Sequence, residues 1–258
     1  MAEEPSPSVP PSRPGRRSAS QRERRRGWFV PFAALLGAVV CGLLPVVVSM
    51  LPTAAARTVA DRLEDFGDSA RARLEPYYAK AGVRWPGRRG ALLGIKDEAA
   101  LELHVMDESG AWHALRRYPV LAASGRSGPK LREGDFQVPE GLYRVSFLNA
   151  NSRFHVSLRL DYPNAFDRDR AREDGRRQLG GDIMIHGGRA SIGCLAMGDP
   201  VAEELFTLAA DLGMQQIEVI LMPSDFRHHA PPDTTEPAWL ASLYRSLAAS
   251  AARFEVVR

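Results

Sequence analysis

The stretch DIMIHGGRASIGCLAMGD, residues 182–199, decides how this chain is read. Its opening residues alternate, with Ile183 and Ile185 on one face of a strand and Met184 and His186 on the other. Gly187 and Gly188 end that strand, RASIGC turns the chain back, and Cys194 follows eight residues after His186. Asp199 then reads as an N-cap with Pro200 at the first helical position. The helix it opens carries Val201, Leu205, Leu208 and Leu212 on one face and stops at Gly213. So short an excursion is expected to bring imidazole and thiol within hydrogen-bond reach.

Outward from this stretch the texture is β-like from about residue 90. LELHVMD (101–107), WHALRRYPV (112–120), YRVSFLN (143–149), FHVSLRLDY (154–162), DIMIH (182–186) and IEVILM (217–222) read as short strands between Gly, Pro and Asp punctuation. In the fourth, Phe154, Val156, Leu158 and Leu160 share one face, and His155, Ser157 and Arg159 the other. The class implied is mainly β with a few helices, a sandwich or curled sheet rather than a βαβ array. Upstream, Val59, Leu63, Phe66, Ala70, Leu74 and Tyr77 recur at helical spacing, so 52–89 reads as a helical linker. That helix either spaces the domain from what precedes it or packs against the domain. The charged run 167–178 reads as a solvated loop. Residues 223–258 read as a loop holding His228 and His229, then an amphipathic helix with Leu240, Leu243, Tyr244, Leu247 and Phe254 on one side.

The net charge of +3 over 258 residues is unevenly placed. Residues 1–27 hold seven arginines against three acids and have too little apolar content to fold, which leaves the rest close to neutral. No basic face argues for nucleic acid. Residues 28–51, WFVPFAALLGAVVCGLLPVVVSML, are apolar without a charge and long enough to span a hydrocarbon core of about 30 Å. Arginines on its N-terminal side put the tail in the cytoplasm and everything after residue 52 outside. A signal peptide cleaved near Ala54–Arg57 is the alternative, and it exports the domain equally.

Export sharpens the meaning of two cysteines. Cys41 lies in the apolar segment, so Cys194 has no intrachain partner beyond it. A thiol beside a histidine can be an activated nucleophile, its pKa lowered from about 8.5 so that thiolate predominates. The plainer alternative is an inert small hydrophobe beside a histidine that satisfies a core hydrogen bond. No second cysteine or nearby histidine completes a zinc set.

IHGGRASIGCLAM (185–197) resembles the active-site segment of the L,D-transpeptidase (YkuD-like) catalytic domain family. GRSGPKLREGDFQVPEGLYRV (125–145) and LNANSRFHVSLRLDYPNAFDR (148–168) resemble its upstream segments in the same order, so the likeness covers residues 90–222. Three features depart from the broad family: Ile192 stands where a histidine is usual, Ala196 where an arginine is usual, and the His-to-Cys spacing is shorter. All three are similar to the YafK-like subgroup.

The resemblance implies a curled β domain in a bacterial periplasm, tethered to the inner membrane, acting on peptidoglycan stem peptides at the diaminopimelate carbonyl. It implies Cys194 as nucleophile, His186 as proton acceptor and donor, and the Gly187 or Gly188 carbonyl as the group orienting the imidazole. The Gly193 and Cys194 amides are the implied oxyanion donors. Ser191, Lys130, Tyr143, His155 and Arg153 are candidates for binding the substrate, and no metal or cofactor is implied. The acyl acceptor stays open between an amine, which makes a transpeptidase, and water, which makes a hydrolase of the peptide or of a lipoprotein linkage. A non-catalytic wall-binding protein is the third reading.

Overall fold

A computed structural model describes residues 55–233 and 236–257. The basic tail and the apolar segment 28–51 lie outside the described residues, and no described helix is long and apolar enough to cross a membrane.

Among the described residues, four α-helices and nine strands follow in order: α1 (Val59–Ala81), β1 (Arg89–Ile95), β2 (Ala100–Met106), β3 (Trp112–Pro119), β4 (Ala122–Ala123), β5 (Gly141–Ser152), β6 (His155–Leu160), α2 (Ala165–Glu173), β7 (Met184–His186), β8 (Leu195–Ala196), α3 (Asp199–Leu212), β9 (Ile217–Met222) and α4 (Leu240–Ala251). The strands join edge to edge in the order β3-β2-β1-β9-β5-β6-β7-β8-β4. Curling is built into β5. Its first residues, Gly141–Arg144, pair with β9, and Val145–Ser152 pair with β6 through two register shifts. Such bulges bend a strand and increase its twist, so one long strand serves two half-sheets. The mainly β class is therefore the one observed.

Period-two patterning explains how both faces are covered. On β9, Ile217, Val219 and Leu221 enter a core beneath α1 and α3, while Ile220 and Met222 enter a second core beneath α4. From α4, Leu240, Leu243, Tyr244 and Leu247 close that second face, and Phe254 follows beyond the helix end. Strands buried on both sides read as continuous apolar runs, which is the texture of IEVILM.

Helix α1 packs on the domain rather than standing clear of it. Phe66, Ala70, Leu74 and Tyr78, four residues apart, are buried against it. A capping box between Thr58 and Asp61 starts the helix, and Gly82, at φ 68°, ends it. Its polar side is also tied down. Glu204 of α3, 1 % exposed, accepts from Arg73 of α1 at 2.9 Å and from Arg116 and Tyr118 of β3 at 2.8 and 2.9 Å. One buried carboxylate thus ties α1, α3 and β3 together.

Two expectations need correction. The charged run 167–178 is not simply a solvated loop: α2 covers its first half. Asn164 and Asp167 form a capping box there, and two i,i+3 ion pairs, Arg170–Glu173 and Arg172–Asp169, brace the turns. Only Ala171 of this helix is buried, so it leaves no apolar periodicity in the sequence. Asp199 is not the N-cap of α3. Gly198 holds that position without a side-chain bond, and the Asp199 carboxylate instead accepts the Gly188 amide at 2.8 Å.

Glu204→Gln is expected to lower the unfolding free energy in urea by about 2–3 kcal/mol, because two arginines lose a buried counter-charge. Asn164→Ala is expected to cost about 1 kcal/mol in the same measurement, through loss of the cap.

Candidate active site

His186 ends β7, and Cys194 stands one residue before β8. The chain between them does not form a hairpin. β7 and β8 run parallel, with Ile185 beside Leu195 and His186 beside Ala196. Parallel neighbours ordinarily need a crossover of about a dozen residues. Here the glycine-rich loop does it in fewer, which sets Cys194 level with Met184 and two positions behind His186. Along a strand that offset is roughly 7 Å.

The imidazole is almost fully enclosed, 2 % exposed, and its Nδ1 lies 2.6 Å from the Gly187 carbonyl oxygen. A carbonyl can only accept, so Nδ1 carries the proton and Nε2 presents its lone pair. Gly187 is required by space. A Cβ there would fall 2.5 Å from Asp199 Oδ1 and 2.7 Å from the Phe154 carbonyl oxygen. Phe154 also lays its ring on the imidazole, centroids 4.6 Å apart and planes at 27°.

The thiol is half-buried and held against the backbone of β7. The Met184 amide donates to Sγ at 3.4 Å, and the thiol donates to the Asp182 carbonyl at 3.6 Å. Among the described residues it makes no hydrogen bond to His186. Burial pushes the Cys194 pKa above the ordinary thiol range; the Met184 amide and, more weakly, the Lys130 ammonium oppose this, and the Asp182 carboxylate adds to it. Burial lowers the His186 pKa, with the Gly187 carbonyl opposing. The resting pair is therefore a neutral thiol and a neutral imidazole, not the predominantly thiolate form expected from the sequence.

Both amides considered as oxyanion donors are engaged. The Gly193 amide, at φ 92°, donates to Ser124 Oγ at 2.5 Å, and Ser124 donates onward to the Phe136 carbonyl. The Cys194 amide donates to Ser191 Oγ at 2.9 Å, and that hydroxyl returns a bond to the Cys194 carbonyl. Ser191 is thus a brace of the loop that carries Cys194. Beside it, Lys130, Phe136, Gly181, Asp182, Ile192 and Gly193 line a cleft of about 150 Å³. Ile192 is 74 % exposed at its mouth, whereas Ala196 is fully buried beside His186.

The remaining substrate candidates scatter. Tyr143 is buried; its hydroxyl lies within donating distance of the Asp167 carboxylate and the Glu140 carbonyl, so it cannot touch a substrate. Lys130 lines the cleft, but its ammonium is held by the Arg132 carbonyl and the Asp135 carboxylate. His155 pairs with Glu203 at 2.9 Å behind the imidazole, and Arg153 is exposed at the β5–β6 turn. No three described His, Cys, Asp or Glu side chains cluster as metal ligands.

Sequence reasoning missed Ser124, Phe154 and Asp199. Ser124 stands one residue before the upstream segment quoted above. The alternation puts Phe154 on one strand face with Val156, Leu158 and Leu160, but Phe154 lies in the turn before β6, where His155 at φ 72° breaks the alternation, and its ring stacks on His186.

Residues 102–219 match the YkuD L,D-transpeptidase catalytic domain. YafK of Escherichia coli K12, provisionally named an L,D-transpeptidase, is 37 % identical over 135 residues, which is 50 % of this chain and 52 % of YafK. The chain therefore spans about half the length of the curated relatives it matches. Among solved structures, the helical cell shape determining protein Pgp2 of Campylobacter jejuni aligns with 67 % of this chain and 61 % of its own, at 19 % identity and TM-score 0.43. Bd1075 of Bdellovibrio bacteriovorus aligns with 64 % of this chain and 56 % of its own, at 14 % identity and TM-score 0.39. Residues 102–219, the stretch that matches the YkuD L,D-transpeptidase catalytic domain, hold both His186 and Cys194.

Proposed function

We propose that this protein is a cysteine acyltransferase of the bacterial cell wall, acting on peptidoglycan stem peptides at the diaminopimelate carbonyl. One observation carries the reading. Inside a YkuD domain, a half-buried thiol lies two strand positions from an imidazole whose proton is fixed on Nδ1 by the Gly187 carbonyl. That tautomer is the one a general base needs.

In the proposed reaction the thiol leaves the Asp182 carbonyl and gives its proton to His186 Nε2 as Sγ forms a bond to the substrate carbonyl carbon. Charge gathers on the carbonyl oxygen. The Gly193 and Cys194 amides stabilise it once they exchange their serine partners for the oxyanion. When the tetrahedral species collapses, the C–N bond breaks and the imidazolium protonates the departing amine, leaving a thioester on Cys194. An incoming amine then gives a transpeptide, and water gives hydrolysis. The apolar segment 28–51 supports a tether in the inner membrane with this domain on the periplasmic side.

Carbapenems acylate the thiol of this family. Intact mass spectrometry is expected to show one adduct on the full-length protein and none on Cys194→Ser; an unmodified wild type sinks the nucleophile assignment. With defined muropeptides, cross-linked product marks the transpeptidase and released peptide the hydrolase.

The pH dependence has a definite sign. His186 keeps its base form to lower pH than an ordinary histidine, and Cys194 keeps its proton to higher pH than an ordinary thiol. The kcat/KM profile should therefore be a broad plateau, with its acid limb below the ordinary histidine range. An acid limb at or above that range contradicts the neutral pair.

A further inference from the structure

Phe154 has no assigned role, yet its ring covers the imidazole. It sits between β5 and β6, and its amide donates to Ser152 Oγ at 3.1 Å. At 41 % exposure this is a poor place for a phenylalanine unless its inner face is needed.

The turn that carries it is held from several sides. Asn151 and Arg57 exchange two hydrogen bonds of 2.7 and 2.8 Å, and Arg62 Nε donates to the Ala150 carbonyl at 2.7 Å. The His155 ring lies 5.6 Å from Phe66 of α1 and meets Glu203 of α3. The Phe154 carbonyl closes on Gly187, the residue that fixes the imidazole proton. Arg57, Arg62 and Phe66 lie outside the matched residues 102–219, so a segment beyond the family domain shapes the site.

We infer that Phe154 is a positioning residue: held by α1 and α3, its ring stacks on His186 and keeps the imidazole in the plane where Nδ1–H meets the Gly187 carbonyl and Nε2 is left to take a proton. The inference rests on the proposed role of His186 as base. The charged groups on the packed elements are already engaged. Asp199 of α3 takes the Gly188 amide, Glu203 of α3 takes His155 of β6, Arg153 points to solvent, and Cys194 is neutral. Solvent exclusion is what Phe154 adds. It outweighs the attraction of an aromatic face for imidazolium, since full burial shifts a histidine by up to about 3–5 units and the aromatic attraction by roughly one.

The test is a titration of the full-length protein labelled with ¹⁵N-histidine, comparing wild type, Phe154→Ala and Phe154→Tyr, with His186→Gln identifying the resonance. In Phe154→Ala the His186 pKa is expected to rise by about one unit, and the Nδ1–H tautomer to give way to a mixture. Phe154→Tyr keeps both at wild-type values. The other histidines report that the variants are folded. Acylation of Cys194 by a carbapenem at pH 7 should slow about tenfold in the alanine variant and recover in the tyrosine variant. An unchanged pKa and tautomer in Phe154→Ala, a fall in that pKa, or a tyrosine variant that behaves like alanine overturns the inference. A wild type that no carbapenem acylates defeats the proposed function instead, and the titration still decides the role of Phe154.

Discussion

The site depends on one constraint, the parallel pairing of β7 and β8 across a very short crossover. Antiparallel strands joined by a tight turn would set His186 opposite a residue near the loop. The parallel register instead sends the chain round to begin beside Met184, so the thiol arrives behind the imidazole with its sulfur against the β7 backbone. Such a crossover spends residues on geometry rather than on packing. Gly187 admits no Cβ, Gly193 takes a left-handed angle, and Ser191 and Ser124 satisfy amides the loop would otherwise leave bare.

That enclosure decides the electrostatics. A cysteine made reactive by a neighbouring imidazolium is normally a thiolate in an electropositive setting. Here both partners are drawn toward their uncharged forms by burial, and the thiol proton points at a backbone carbonyl. In the proposed reaction such a site is quiet at rest and creates its charges only as a substrate carbonyl arrives. The energetic demand then falls on amides that are already oriented, though engaged elsewhere.

Support for the site reaches beyond the matched residues 102–219. α1 contributes Phe66 and Leu74 to the same core as β6 and β7, and it meets α3 through Arg73, Glu203 and Glu204. α3 in turn places Asp199 against Gly188. A helix whose sequence allowed it to be a spacer is therefore part of the frame that fixes the loop. The buried Glu204 is what makes this contact specific, because an unpaired carboxylate there would carry a large desolvation cost.

The sequence by itself determined β2, β3, β5, β6, β7 and β9, because their apolar residues alternate or run continuously, but not β1 or the two-residue strands β4 and β8. It also determined α3 and α4, because their apolar residues recur every three or four positions. The pairing of one thiol with one histidine was legible too, through the glycines between them and the ordered upstream motifs. Helix α2 was hidden, since a helix with one buried residue writes no period. Only the tertiary structure decided that β8 runs parallel to β7, that Tyr143 faces the core, and that Phe154 faces His186. The physical reason is common to all three. Strand direction, burial and a single positive φ at His155 are settled by what packs from distant parts of the chain, and local residue pattern carries no record of those partners.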